Sequence, residues 1–303
     1  RSLRDSPAPE VLIADLLRSL SQGSAGDGCA DRVQSQASIT GSQLSDLMAI
    51  LRSRRCLLVF NQFESVLAIG EQTGTYNKRY QTYGDLLRRL AEESHLSCCV
   101  LTSREKPQEI ARLEGKDSGV RSTYLDGLSL SAAQQLLALQ GLIGSDLEQQ
   151  FFVNLYANNP LIIKIVALTI YNIFNCNLTE FLAVKQILFN DLRQLLEQQF
   201  NRLSALEQQV MYALAVNQKL AELKGVGNEI SLAFIPQEHL SVLESLQRRS
   251  LIQPNSWRFA QPLLLKTYIL EKLVEQVEAE MNNKDIALLI RHLLKETLLN
   301  NGT

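Results

Sequence analysis

The sequence predicts an α/β domain with a small parallel sheet, followed by an all-helical region. In residues 1–127, short apolar runs alternate with segments of helical spacing, which is the βαβ order of a parallel sheet with right-handed crossovers. After Gly127 the strand pattern gives way to amphipathic helices, interrupted by one short hairpin signal. A length of 303 residues leaves room for about two or three domains.

Composition excludes several classes of protein. With 46% hydrophobic and 20% charged residues, the chain can bury real cores and is not intrinsically disordered. Thirty Lys/Arg against 32 Asp/Glu give a net charge of -2, which argues against a strongly basic nucleic-acid binder. Five cysteines without a C-x-x-C pair and three scattered histidines favour reduced thiols in the cytoplasm and argue against a zinc site.

Neither a signal peptide nor a membrane span is predicted. The longest apolar run, residues 161–174, is too short to cross a bilayer and contains Lys164, so we expect a buried helix there. The chain begins with Arg1 rather than Met, so we expect it to be a fragment of a longer protein.

The first region contains three predicted strands, of which the first two are unbroken apolar runs. Residues 56–60 form a run that is apolar on every side, which predicts a central strand of a parallel sheet. The other two strands are predicted at 98–101 and 120–125, with a Gly- and Ser-rich loop at 23–41. Apolar spacing predicts helices at 9–20, 43–52, 78–93 and 107–113.

The second region is predicted to be helical almost throughout. Helices are expected at 131–140, 146–156, 160–174, 178–184, 191–203, 204–216, 236–249, 263–280 and 286–299. Ser204 with Glu207 three residues later is the capping-box pattern. Residues 251–254 and 257–260 flank Asn255-Ser256, a hairpin signal. Helices followed by a hairpin give the order of a winged helix-turn-helix.

Polar residues at the carboxyl ends of the first two strands are the strongest candidates for a site. The carboxyl ends of parallel strands line the ligand crevice of such sheets. Nucleotide hydrolases present a carboxylate to Mg²⁺ there, but Asn61 takes that position in this chain and Glu64 is the nearest acid. An amide oxygen lacks the charge that a hard cation prefers. The alternative interpretation is an ordinary buried strand with a polar cap.

The second strand end offers groups suited to a phosphate. Thr102, Ser103 and Arg104 supply two hydroxyls and a guanidinium, whose charge and multiple donors match phosphate oxygens. The alternative is a surface arginine paired with Glu105 or Glu109.

A third candidate, Asn159-Pro160, opens an apolar helix. Asn is favoured at a helix cap and Pro in the first turn, so it can equally be a simple helix start.

Four segments, taken in order, resemble one family. Residues 54–67 look like the Walker B region of NB-ARC-type STAND NTPases, the signalling relatives of AAA+ ATPases. Residues 101–107 resemble their sensor-1 segment, 158–164 are similar to their G-x-P motif, and 243–252 look like the helix and first wing strand of their winged-helix domain. The resemblance is greatest to cyanobacterial members with C-terminal WD repeats and covers about residues 1–280.

The resemblance implies a nucleotide switch with ADP or ATP and Mg²⁺ as ligands. Arg104 would contact the terminal phosphate, Asn159 and Pro160 would lie at the adenine, and Asn61 would stand where the family has its magnesium-associated Asp. The implied domains are a partial nucleotide-binding α/β domain at 1–127, a helical lid at 128–203, a winged helix at 204–262 and a terminal helical segment at 263–303. Such proteins open and oligomerise on exchanging ADP for ATP, so protein partners or self-association are expected.

Two departures from the family pattern argue against hydrolysis. The motif G-x-x-x-x-G-K-S/T is absent from the 303 residues, and in the family it precedes the stretch similar to residues 1–7. The Walker B acid is replaced by Asn61. Without the strand that carries the P-loop, a central position of the sheet would be empty unless Leu3 and its neighbours, or another chain, fill it.

Two other functions remain open. A DNA-binding role for the winged helix is opposed by the zero charge balance of residues 236–250, because DNA affinity requires a positive face. A non-catalytic interaction scaffold would present an apolar face of the two C-terminal amphipathic helices to a partner. The residues of that face are Leu263, Leu264, Ile269, Leu273 and Val277. The alternative is that this face closes the chain's own core.

Overall fold

The protein forms two compact units. The computed structural model describes residues 1–21, 40–71, 73–223, 230–231, 240–255 and 258–282. The first unit comprises Arg1–Thr123 together with Arg248–Ser250, and the second comprises Tyr124–Gln247 and Leu251–Thr303. The first break in the chain therefore falls close to the predicted boundary at residue 127.

Two parallel strands and four helices make up the described part of the first unit. In chain order the elements are α1 (Pro9–Ser21), α2 (Thr40–Ser53), β1 (Leu57–Phe60), α3 (Gln81–Glu92), β2 (Cys98–Leu101) and α4 (Gln108–Leu113). Short 3₁₀ turns at Phe63–Val66 and Lys78–Tyr80 lie between β1 and α3. Nearly all of the predicted loop at 23–41 lies outside the described residues. β1 and β2 pair in parallel with Leu57 opposite Cys98, as expected for two strands joined by a helical crossover.

Only one face of this sheet is buried among the described residues, although an unbroken apolar run is typical of a strand covered on both faces. Leu58 and Phe60 are 4% and 0% exposed and belong to one core with side chains of α1, α2 and α3. On the opposite face, Leu57, Val59 and Val100 are 66%, 41% and 44% exposed. Alternating side chains of a strand point to opposite faces, so a single covering layer leaves half of an apolar run in contact with solvent.

The third predicted strand, at residues 120–125, is not formed. The backbone of these residues is irregular, and Tyr124 and Leu125 are 58% and 86% exposed. Within the described part of the chain, the sheet containing β1 and β2 has two strands. A segment becomes a strand only when a partner satisfies its backbone groups, and no described strand pairs with this one.

The amino-terminal residues lie against the outer edge of β1. Ser2 forms an isolated parallel bridge with Asn61, and the Leu3 amide donates to the Asn61 carbonyl at 2.8 Å. The Leu3 side chain is fully buried in the core of the first unit. Leu3 and its neighbours therefore extend the sheet beside β1, rather than on the far side of β2.

The second unit is built from helices with a small antiparallel sheet. Its described elements are α5 (Leu130–Leu139), α6 (Asp146–Leu155), α7 (Pro160–Phe174), α8 (Leu178–Ala183), α9 (Asn190–Phe200), α10 (Ala205–Leu223), β3 (Ile230–Ser231), α11 (Leu240–Arg248), β4 (Gln253–Asn255), β5 (Arg258–Ala260) and α12 (Leu263–Asn282). Arg248, the last residue of α11, is counted with the first unit. The strand order is β3-β5-β4. Residues 232–239 and the predicted final helix at 286–299 lie outside the described residues.

One continuous hydrophobic core connects the helices of the second unit. Buried side chains from α5 to α12 belong to it, including Leu264 and Ile269 of α12. Most of the apolar face that could have served a partner thus closes the chain's own core, although Leu263 is 49% exposed. The division of this unit into lid, winged helix and terminal segment stays a prediction.

Side-chain caps fix where several helices begin. The predicted capping box is confirmed, because the Ser204 amide donates to Glu207 Oε2 at 2.7 Å and the Glu207 amide donates to Ser204 Oγ at 3.3 Å. Ser145 and Glu148 form a second box at the start of α6. Among the described residues, no helix combines the length and the apolar character needed to traverse a bilayer.

Candidate functional site

The two strand ends of the first unit bring their polar residues together. Asn61 follows β1 and Thr102 follows β2, and the parallel pairing places both at the same edge of the sheet. Thr102 Oγ1 donates to Asn61 Oδ1 at 2.6 Å and accepts from the Gln62 amide at 3.3 Å. The Thr102 amide donates to the Phe60 carbonyl at 2.8 Å, which continues the ladder one residue past the strands.

A left-handed residue turns the chain at the end of β1. Gln62 adopts φ 61° and ψ 49°, and its side-chain oxygen accepts from Ser2 Oγ at 3.1 Å. This reversal leads into the 3₁₀ turn Phe63–Val66, in which Phe63 and Val66 are buried. The turn places Glu64 near the residues that follow β2.

Glu64 holds the segment that carries Arg104. The Arg104 amide donates to Glu64 Oε2 at 3.2 Å, and Arg104 Nε lies 3.8 Å from Glu64 Oε1. The Glu64 side chain is 13% exposed, whereas that of Arg104 is 48% exposed. The expected alternative, a pairing of Arg104 with Glu105 or Glu109, is replaced by this contact with Glu64.

The exposed groups at this edge suit an anion better than a cation. Ser103 is exposed beside the half-exposed Arg104 guanidinium, and these donors match phosphate oxygens. Thr102 is exposed as well, but its hydroxyl hydrogen is donated to Asn61. For Mg²⁺ the site offers two oxygen ligands. One is the neutral amide oxygen of Asn61, which accepts a hydrogen bond from Thr102, and the other is the Glu64 carboxylate, which lies 3.8 Å from the Arg104 guanidinium. Over the described ranges there is no group of three or more His, Cys, Asp or Glu that could hold a metal ion. The protein groups alone therefore do not fit a resident Mg²⁺, and a metal role for Asn61 stays a prediction.

Two polar pairs that the sequence did not reveal involve the acids that follow Arg104 in the chain. Arg249 Nη1 lies 2.8 Å from Glu105 Oε1, and these two side chains are 3% and 4% exposed. Tyr76 donates its hydroxyl hydrogen to Glu109 Oε2 at 2.8 Å. Burial, and then the Glu109 carboxylate, raise the pKa of Tyr76 far above its ordinary value, so its proton stays in this bond.

Asn159 and Pro160 begin α7 in the second unit. Asn159 Oδ1 accepts from the amides of Leu161 and Ile162 at 3.0 and 3.2 Å, and Pro160 occupies the first turn. The capping interpretation of this motif is therefore confirmed. The adenine contact that the resemblance implies for Pro160 stays a prediction.

The cap makes a quantitative prediction. Asn159→Ala removes the acceptor for two helix amides and should lower the free energy of unfolding by about 1 kcal/mol. Asn172→Ala is the matched control, because Asn172 is an exposed interior residue of the same helix and should change stability by less than about 0.5 kcal/mol. Urea unfolding followed by circular dichroism measures both, and equal losses would contradict the capping role.

A separate cleft in the second unit has the wrong charge for a nucleotide. It has a volume of about 510 Å³, and its lining includes Ser145, Glu148, Asn177 and Glu180. Hydrogen bonds from Thr179 and Ser145 hold the pKa of Glu148 below its usual range. A carboxylate that remains ionised repels phosphate, so this cleft does not replace the site at the strand ends.

Comparison with known proteins gives a relative in sequence. No family model matches the chain. A WD repeat-containing protein of Nostoc sp. is 38% identical over 285 residues, which are 93% of this chain and 22% of that protein. The chain thus spans about a fifth of the length of this relative. A segment of this kind therefore occurs within a WD repeat-containing protein.

Two solved structures overlap most of the chain loosely. The superposition with a Walker-type ATPase of Pyrococcus abyssi includes 89% of this chain and 83% of the ATPase chain, with a TM-score of 0.49 and 13% sequence identity. The second structure is a STAND (signal transduction ATPase with numerous domains) protein with a tetratricopeptide repeat sensor, from Pyrococcus horikoshii. Its superposition includes 87% of this chain and 34% of the STAND chain, with a TM-score of 0.34 and 13% sequence identity. Both overlaps are too loose to decide fold or function.

Proposed function

We propose that this chain is the core of an NB-ARC-type STAND signalling NTPase, which binds ADP or ATP as a conformational switch and does not hydrolyse it efficiently. The observation that carries the proposal is the cluster at the carboxyl ends of β1 and β2. Asn61 and Thr102 are in contact there, and Glu64 accepts from the amide of Arg104, two residues after Thr102. This is the edge at which open parallel sheets bind their ligands.

Each residue of the cluster has a role in this proposal. The Ser103 hydroxyl and the Arg104 guanidinium bind the terminal phosphate, because they supply charge and several donors together. Thr102 joins them when its hydroxyl hydrogen, which is donated to Asn61 in this structure, turns to a phosphate oxygen. Asn61 orients Thr102 by accepting its hydroxyl hydrogen. Mg²⁺, when it arrives with the nucleotide, supplies charge neutralisation at the phosphates.

Inefficient hydrolysis follows from what the residues at the site lack. An amide stands at Asn61, where a carboxylate would be needed to hold the metal. Glu64, the nearest carboxylate, accepts from the Arg104 amide and lies beside its side chain. The 303 residues contain no G-x-x-x-x-G-K-S/T to cradle the phosphates.

The proposed setting is cytoplasmic signalling through protein contacts. The occurrence of a similar segment in a WD repeat-containing protein supports protein partners or self-association rather than membranes or nucleic acid. A second candidate, a non-catalytic interaction scaffold, is favoured by the exposed apolar sheet face of Leu57, Val59 and Val100. Sedimentation at increasing protein concentration separates the two, because a monomer that binds nucleotide contradicts the scaffold.

Nucleotide binding is the direct test. A fluorescent ADP analogue, titrated with and without Mg²⁺, should bind the 303-residue chain weakly, with a Kd of about 1 mM, because part of the phosphate site is missing from it. Arg104→Ala should weaken binding about fivefold or more, since a charge-assisted contact is lost. Arg88→Ala is the control, because Arg88 is 51% exposed and pairs with Asp85 within α3.

The same titration can contradict the proposal. Absence of binding up to about 10 mM nucleotide, or equal affinities of the Arg104 and Arg88 variants, would remove the strand ends as a phosphate site.

A further inference from the structure

A buried arginine from a distant part of the sequence joins the first unit beside its candidate phosphate site. Arg248–Ser250 belong to this unit, although the rest of it ends at Thr123. Arg249 is 5% exposed and lies 2.8 Å from the carboxylate of Glu105. Arg249 Nη2 also donates to the Glu71 carbonyl at 2.8 Å.

The contacts of this segment lie next to Arg104 in the sequence. Glu105 directly follows Arg104, and the Lys106 amide donates to the Arg248 carbonyl at 3.3 Å. Glu64 holds the Arg104 amide itself at 3.2 Å. The backbone at 104–106 is thus fixed by Glu64 on one side and by Arg248 and Arg249 on the other.

A buried ion pair of this kind stabilises the fold only while both partners are present. Removing one partner leaves an uncompensated charge in a low-dielectric interior, which is far more unfavourable than losing an exposed pair. Arginine can serve Glu105 and the Glu71 carbonyl together because its guanidinium is planar with several fixed donors.

We propose that the Glu105–Arg249 pair is a latch that keeps Arg248–Ser250 in the first unit and sets the position of Arg104. The proposal rests on the proposed function in one respect, namely that Arg104 is the phosphate contact. With the latch closed, residues 104–106 have a single conformation. With the latch open, the segment leaves and Arg104 loses its fixed position. Arg249 is therefore a positioning residue, which regulates the site without touching the ligand.

Amide hydrogen exchange of the whole chain tests the latch directly. Arg249→Met should speed exchange about tenfold in peptides covering residues 104–108 and 246–252, because the bonds that protect them open. Arg249→Lys should give an intermediate effect, since lysine keeps the charge and loses the fork. Arg88→Met, a change at an exposed arginine of α3, should leave both peptides at the wild-type rate.

A charge swap separates the pair from a general packing defect. The double variant Glu105→Arg with Arg249→Glu should restore at least part of the protection lost in either single variant, because the pair is re-formed in reverse. Unchanged exchange in Arg249→Met, or a double variant no better than the worse single one, would overturn the latch. If Arg249→Met does not fold, Arg249→Lys and the double variant decide the question.

The exchange result is independent of nucleotide. A chain that fails to bind the fluorescent ADP analogue but shows the expected exchange pattern would contradict the proposed function and support the latch. A chain that binds the analogue, with Arg249→Met at wild-type exchange rates, would support the function and overturn the latch.

Discussion

Phe152→Ala is expected to lower the free energy of unfolding of the second unit by about 3–5 kcal/mol. The Phe152 side chain is fully buried in the core of that unit. Its ring lies edge-on to Tyr156 and to Phe181, with centroid distances of 5.1 and 5.9 Å. Truncation removes these contacts and leaves a cavity that the surrounding aromatic rings cannot close.

The neighbouring residue supplies a control with identical chemistry. Phe151 belongs to the same helix α6 and is 60% exposed, so Phe151→Ala should change stability by less than about 0.5 kcal/mol. Urea titration followed by circular dichroism, with exchange of the α6 peptide as a second probe, measures both variants. Equal losses would mean that α6 presents a different face to the core.

Helix bounds could be predicted from the sequence where the end signals are local. The predicted helix at 160–174 coincides with α7, because Asn159 caps its first turn and Asn175 adopts the left-handed conformation that ends it. The start of α10 after Ser204 follows from its capping box in the same way. Such signals lie within a few residues of the boundary that they set, so one sequence contains them.

Burial of the sheet depended on partners that local patterns do not specify. The run 56–60 did predict a strand, yet the exposure of Leu57 and Val59 depends on which layers cover the two faces. The segment at 120–125 contains Val, Thr and Tyr, which favour strands, but has no described partner strand. Periodicity reports what a segment can do, whereas pairing depends on residues far away in the chain.

The candidate site was predictable only where the topology of the sheet decides which residues meet. Parallel topology alone places Asn61 next to Thr102, and the structure has their side chains in contact. The pairing of Glu64 with Arg104 depends on the left-handed conformation of Gln62. Glutamine seldom adopts this conformation, and no sequence pattern predicts it here. The burial of Arg249 beside Glu105 joins positions that are far apart in the sequence, so spacing could not reveal it.

Gly74→Ala is expected to be among the most destabilising single changes in the first unit, with a loss of more than about 4 kcal/mol. Gly74 has a φ of +81°, and a Cβ there would lie 2.5 Å from the Lys106 carbonyl oxygen and 2.7 Å from the Gln108 nitrogen. Both atoms belong to the backbone and cannot rotate away. The Gly74 carbonyl also accepts from the Gln108 amide at 3.1 Å, so a shift would break the bond that anchors the start of α4.

Gly70→Ala separates the steric clash at Gly74 from the backbone strain that both glycines share. Gly70 has a similar φ of +76°, but none of the residues that the structure describes has an atom within 4 Å of the position that a Cβ would take there. Its substitution should therefore cost about 1–2 kcal/mol from the left-handed conformation alone. Thermal unfolding of the two variants, followed by exchange of residues 104–108, measures the difference.

The same pair of variants connects this loop to the candidate site. Because Lys106 and Gln108 belong to the segment that follows Arg104, Gly74→Ala should also weaken binding of the ADP analogue, whereas Gly70→Ala should leave it unchanged. Equal destabilisation by the two substitutions would show that the loop around Gly74 yields, and that close packing against it does not fix the position of Arg104.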